Sequence, residues 1–141
     1  MLSAVVLLTE QYLQSIEDFG SSLELLKACV QDITIDRGIA ELHYHMGVAC
    51  VYASQYDNGI THFRDALAIL EAKNASLQAV VAAAELNKEN AEESTEVTEA
   101  RAEIKDIAEL IPEIKLKVFS VCALVTVLFL WHWLGAVHGV S

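Results

Sequence analysis

Histidine, cysteine and carboxylate side chains are the groups that most often bind metals or catalyse reactions, so their spacing is considered first. His43 and His45 stand two residues apart, which on a helix directs them to different sides and makes them a poor metal pair. His62, His132 and His138 have no acidic or cysteine partner at ligand spacing, and no serine or cysteine lies in a nucleophile motif. The sequence therefore predicts no catalytic residue, no metal site, no cofactor and no enzymatic activity.

The charge and the cysteines narrow the class of protein. Cys29, Cys50 and Cys122 are odd in number and lack CxxC spacing, which favours a reducing compartment over a disulfide framework. Every charged residue precedes residue 118, so the net charge of -11 lies on residues 1–117. An acidic surface repels phosphate backbones and attracts basic ligands, so we expect a basic protein partner and no direct nucleic-acid binding.

A repeated pattern indicates helices. Residues 11–19 align with residues 55–63 at an offset of 44, and bulky apolar residues recur at matched positions of both copies. Before the second copy lies another apolar helical face that contains Gly47, a residue that often marks the close approach of a neighbouring helix. With a tight turn at Gln55-Tyr56-Asp57, residues 37–53 and 57–72 are predicted to form a helical hairpin.

The character changes after Ala75. An apolar helical stripe gives way to an acidic run and returns between Ile104 and Ile114. We expect a helix, a mobile break near Glu89–Glu96, and a second helix that packs back as a cap; one continuous helix is the alternative. The acidic run is interpreted as a patch that screens a basic partner, or alternatively as a solvated helix face. Its glutamates are Glu85, Glu89, Glu92, Glu93, Glu96 and Glu99.

Residues 118–141 contain no charged side chain. A run of this length exceeds the roughly 20 residues that cross a bilayer as a helix, and Trp131 and Trp133 suit a membrane interface. Lys115 and Lys117 flank its amino side. The segment is therefore a candidate tail anchor with the rest of the chain in the cytosol; a tail without a membrane role is the alternative.

The hairpin resembles a tetratricopeptide repeat. Met46-Gly47, Tyr56-Asp57, Phe63 and Ala66 occupy the places of that family's Leu-Gly, Tyr-Asp, aromatic and alanine residues, whereas Cys50 stands where tyrosine is usual. The resemblance implies an all-α fold of tetratricopeptide-type helical hairpin repeats with a long capping helix, plus a C-terminal apolar helix. It also implies that the first helix of the hairpin lines a groove for a partner. The groove residues predicted on it are Glu41, Tyr44, Val48, Val51 and Tyr52, with core packing the stronger alternative for Val48 and Val51.

A narrower resemblance is to the histone chaperone family of nuclear autoantigenic sperm protein and its fungal relatives. It rests on Arg37 to Gly47, on Ser54-Gln55-Tyr56-Asp57, and on Glu103 to Ile114, which is similar to that family's capping helix. The resemblance implies a nuclear protein that binds the tetramer-forming core histones during chromatin assembly. It places Leu2 and Ser3 midway along the first helix of an earlier repeat.

The implied organisation has three parts. Residues 1–72 hold one and a half repeats, residues 73–117 the acidic segment and capping helix, and residues 118–141 the apolar tail. The family's earlier repeats, long acidic insertion and basic nuclear-import tail have no counterpart in this sequence. A membrane scaffold that binds another protein through its repeats, and pairing with a second copy of the chain, stay open as alternatives.

Overall fold

The computed structural model describes residues 2–87 and 94–137, which form four helices and no strand. The predicted all-α class is confirmed. Each helix packs against the next along the chain. The tetratricopeptide character of this packing stays a prediction. The helices are α1 (Leu2–Cys29), α2 (Arg37–Tyr52), α3 (Tyr56–Leu86) and α4 (Thr95–Val137).

Helix α1 is one continuous helix, so no turn separates Leu2 and Ser3 from residues 11–19. The assignment of Leu2 and Ser3 to the first helix of an earlier repeat stays a prediction. In the second copy, the turn before α3 places Ser54 at a φ of 63°, a left-handed conformation. The corresponding position in the first copy is Glu10, a good helix former, so nothing directs the chain out of the helix there. The helix packs on α2 through its Tyr12 ring, stacked 5.0 Å from that of Tyr52.

Helices α2 and α3 form the predicted hairpin, which is confirmed, although α3 continues to Leu86. A Cβ atom added to Gly47 of α2 would lie 2.7 Å from the Phe63 ring, and one added to Gly59 of α3 would lie 2.8 Å from Val51. Between these two pairs the residue number rises from 47 to 51 in α2 and falls from 63 to 59 in α3, so the helices are antiparallel. The glycines permit the backbones to approach this closely because they lack a Cβ atom.

Helix α4 runs back along α3, as the capping-helix prediction requires. Arg101 contacts Glu85 at 3.1 Å and Lys115 contacts Glu71 at 3.3 Å, which fixes the antiparallel direction. Asn87 caps the end of α3, so the alternative of one continuous helix is wrong. The buried face of α4 repeats every seven residues, the period at which one helix keeps facing another. Its members are Ala100, Ile107, Ile114 and Val121.

The last part of α4 leaves the core. Val121 is buried and Val125 packs against the core, but residues 126–134 are exposed, Trp131 to 76%. By length and composition, two described helices are apolar enough to cross a membrane: Tyr56–Leu86 and the stretch Thr95–Gly135 of α4. The first of these contributes Phe63 and Leu70 to the core, whereas the carboxyl-terminal part of the second is largely uncovered.

The predicted part boundaries fall inside helices. Helix α3 passes through residues 72 and 73 without interruption, and α4 passes through residues 117 and 118. The three-part organisation therefore describes changes in composition along two continuous helices. Whether the three parts are separate folding units stays a prediction.

Candidate partner-binding cleft

Helix α2 carries the predicted groove residues, and a side-chain cap fixes where it begins. Asp36 accepts a hydrogen bond from the backbone N–H of Ile39 at 2.9 Å, which satisfies one of the free donors of the first turn. Ile39 and Ala40 are buried next to this cap, which sets the face of the helix that points to the core. Glu41 and Tyr44, three residues apart, consequently share one face.

A cleft of about 390 Å³ lies along that face, between α2 and α4. Its floor is apolar, and the charged side chains of Arg37, Glu41 and Glu113 stand at its rim. Arg37 lies 3.9 Å from Glu41 and 4.0 Å from Asp106 of α4, at the upper limit for an ion pair. The apolar lining consists of Ala40, Tyr44, Leu70, Leu110 and Ile114.

Tyr44 joins the cleft to the core. Its ring centroid lies 5.8 Å from that of Phe63. The Lys117 ammonium group also lies 5.8 Å from the Tyr44 ring centroid, within cation–π range. The ring also meets His45 edge to face. Tyr44 is therefore a half-buried, rigidly held aromatic side chain that a ligand in the cleft would touch.

The other predicted groove residues lie elsewhere. Val48 and Val51 are half-buried and pack against the core cluster around Phe63, as the core alternative described. Tyr52 is 62% exposed but stacks on Tyr12 of α1 and does not line the cleft. The structure thus brings only Glu41 and Tyr44 of the five together in the cleft.

The acidic run is only partly described. Glu85 is paired with Arg101, and Glu96 and Glu99 are exposed in the first turns of α4. Carboxylates near the amino terminus of a helix interact favourably with the positive end of its dipole, so these side chains help to stabilise α4 itself. Glu89, Glu92 and Glu93 lie outside the described residues, as does most of the predicted break.

A second cluster lies on the hairpin, away from the cleft. His43 Nδ1 is 3.1 Å from His62 Nδ1 and 3.9 Å from an Asp65 carboxylate oxygen. Burial lowers the pKa of both histidines, against the opposing effect of Asp65, and the Lys27 ammonium group adds to the lowering. Both rings are therefore neutral at pH 7.

The interpretation that His62 lacks a carboxylate at ligand spacing is wrong, because Asp65 follows it by three residues on the same helix face. The missed signal is the His-x-x-Asp spacing together with the antiparallel hairpin, which brings His43 opposite it.

No protein-family model matches the chain. It is 33% identical to Protein HGV2 of Halocynthia roretzi over 112 residues, which are 79% of this chain and 21% of that protein. It is 36% identical to Histone-binding protein N1/N2 of Xenopus laevis over 70 residues, or 50% of this chain and 12% of that protein.

A further relative carries the name that the sequence motifs indicated. Nuclear autoantigenic sperm protein of Homo sapiens is 36% identical over 84 residues, which are 60% of this chain and 10% of that protein. The chain spans about a fifth of the length of Protein HGV2 and about a tenth of the two vertebrate relatives. By these matches and by its helical architecture, the chain belongs to the family of nuclear autoantigenic sperm protein.

Proposed function

We propose that the chain is a histone-binding module that holds the tetramer-forming core histones through the cleft between α2 and α4. It acts in the nucleus, in chromatin or nucleosome assembly, by shielding basic histone surface and without a catalytic step. The name of the Xenopus relative, a histone-binding protein, supports the class of partner, and the word nuclear in the name of the human relative supports the location. Pairing of two copies of the chain stays a prediction.

The cleft is the observation that carries this proposal. It combines an apolar floor with carboxylates at the rim, an arrangement that suits a segment with one apolar side and flanking arginine or lysine residues. Glu41 and Glu113 supply the carboxylates, from α2 and α4 respectively. A cationic side chain of the partner would compete with Arg37 for Glu41, and that existing contact is long enough to be weak.

The overall charge supports the same partner. With a net charge of -11, the chain attracts a basic protein over a distance and accelerates the encounter. Glu96 and Glu99 are exposed at the start of α4 and add to this field. We therefore expect the association rate to fall as salt is raised, because ions screen exposed charges.

Charge-matched variants test the cleft. The double variant Glu41→Gln/Glu113→Gln removes two rim carboxylates, whereas Glu17→Gln/Glu24→Gln removes two exposed carboxylates from α1 and leaves the cleft unchanged. At up to about 1 kcal/mol for each exposed ion pair, the cleft variant should bind the tetramer-forming histones roughly tenfold more weakly. Equal affinity for the two variants in a fluorescence titration would rule out the cleft as the binding surface.

A second candidate function, a tail-anchored scaffold that binds another protein at a membrane, is favoured by the exposed end of α4. Residues 118–137 would extend about 30 Å as a helix, which matches the hydrocarbon thickness of a bilayer. Large apolar side chains face solvent on several sides of this stretch, including Phe119, Val127, Phe129, Trp131 and Trp133.

One contact opposes full insertion of that stretch. Val125 borders a cavity of about 340 Å³ whose other walls are the polar turn residues 54–58, which include Asp57 and Asn58. Insertion of Val125 into a bilayer would have to break this contact or draw polar groups into hydrocarbon, which is costly. Carbonate extraction of membranes from cells that express the full chain decides the matter: retention in the pellet supports the anchor, and release into the soluble fraction rejects it.

A further inference from the structure

The cluster of His43, His62 and Asp65 lies outside the partner-binding cleft and has no role in the proposed function. Two imidazoles and one carboxylate can each offer one ligand atom there, and these atoms lie within 4.8 Å of one another. His43 comes from α2, and His62 and Asp65 come from one face of α3. An ion held by all three would therefore clamp the two helices of the hairpin together.

We propose that His43, His62 and Asp65 bind a divalent transition-metal ion, with Zn²⁺ as the best fit. This inference is independent of histone binding. Imidazole nitrogen suits Zn²⁺, Cu²⁺ and Ni²⁺, whereas Mg²⁺ and Ca²⁺ prefer oxygen ligands alone. Among the borderline-soft ions, Zn²⁺ accepts two histidines and one carboxylate in a tetrahedral site that keeps a fourth position for water.

The two distances from His43 Nδ1 fit a tetrahedral ion. Zn–N bonds of 2.0–2.1 Å place two ligand atoms about 3.3 Å apart on the edge of a tetrahedron. The two Nδ1 atoms are 3.1 Å apart, so the rings need to separate by only a few tenths of an ångström. The Asp65 oxygen, 3.9 Å from His43 Nδ1, has to move in by about half an ångström, and its side chain is 52% exposed and free to rotate.

The same geometry explains how the cluster is satisfied without a metal ion. With both rings neutral, one Nδ1–H donates a hydrogen bond to the other Nδ1. When the ion binds, the donor ring carries its proton on Nε2 instead, and both Nδ1 lone pairs point to the ion. No proton is lost in this exchange of tautomers, and the Asp65 carboxylate offsets part of the ion's charge.

One nearby positive charge, that of Lys27, opposes metal binding. The Lys27 ammonium group, in the last turn of α1, interacts electrostatically with both imidazoles. Its positive charge repels a cation in the cluster. Asp65 is therefore the ligand on which affinity depends most, because it is the only negative charge among the three.

Isothermal titration of the full chain with Zn²⁺ alone tests the site. The unmodified chain should bind one ion, and Asp65→Asn and His62→Gln should each bind at least about tenfold more weakly, since loss of even an outer-shell partner costs 10–100-fold. His45→Gln is the matched control: this histidine is exposed on α2, stacks on Phe19 and is not a ligand, so its variant should bind as tightly as the unmodified chain.

Circular dichroism establishes that each variant is folded, and Asp65→Asn changes an exposed side chain without changing its shape. A second readout is the melting temperature, which Zn²⁺ should raise for the unmodified chain and for His45→Gln but not for Asp65→Asn. The proposal is overturned if folded Asp65→Asn binds Zn²⁺ as tightly as the unmodified chain, or if the unmodified chain binds no ion at all.

Discussion

Replacement of Gly47 by alanine should lower the free energy of unfolding, although alanine is the better helix former. An alanine Cβ would lie 2.7 and 2.8 Å from two atoms of the Phe63 ring and 3.2 Å from the Gly59 carbonyl oxygen. Phe63 is 2% exposed and cannot swing away, so α2 and α3 must move apart. Overpacking of this kind lowers the free energy of unfolding by about 1–3 kcal/mol, and the better helix propensity of alanine offsets about 1 kcal/mol of that loss. We expect a net loss of up to about 2 kcal/mol.

Gly20→Ala is the matched control, since it makes the same change in the interior of α1. A Cβ there would meet only the Met46 methyl carbon, at an ordinary contact distance of 3.9 Å. The control should therefore gain about 0.5–1 kcal/mol from helix propensity. Urea unfolding of the full chain, followed by far-ultraviolet circular dichroism, measures both. If Gly47→Ala proves as stable as Gly20→Ala, the close approach of α2 and α3 is refuted.

Three further predictions test other parts of the fold. Asp36→Ala should lose about 1 kcal/mol of stability because the α2 cap is removed, whereas Asp36→Asn should keep most of it; equal loss in both would contradict the cap. Ile107→Ala should cost about 2–5 kcal/mol because the side chain is fully buried against the core, whereas Leu116→Ala, at an exposed position of the same helix, should cost less than about 0.5 kcal/mol. Burial raises the pKa of the Cys50 thiol, so a thiol reagent should modify exposed Cys29 far faster than Cys50 in the folded chain; equal rates by mass spectrometry would argue against the burial.

The hairpin was predictable because its signals are local. Apolar spacing identified α2 and the start of α3, and Gly47 correctly marked the position where the two helices approach. Helix α4 was predictable as a cap from the stripe between Ile104 and Ile114. The long α1 was not, because the repeat alignment gave residues 11–19 the same role as residues 55–63. The turn depends instead on Ser54 in a left-handed conformation, which Glu10 does not share.

The site was harder to predict because it depends on where α4 lies. Helical spacing alone places Glu41 and Tyr44 on one face, but Glu113 and Leu110 join them only when α4 folds back over the hairpin. Tyr52 looked equivalent to Tyr44 by helical spacing, and its contact with Tyr12 depends on the path of α1. Similarly, His43 meets His62 through the register of the hairpin, which spacing within one helix cannot supply.

Hydrogen–deuterium exchange of the full chain, alone and with the tetramer-forming core histones, tests the central claim that the cleft holds the histone. The proposal predicts slower exchange in residues 37–45 of α2 and 106–117 of α4, which border the cleft, with residues 12–29 of α1 unchanged. A folded chain that forms no complex at low salt would contradict the proposal, and so would a complex in which neither border of the cleft is protected.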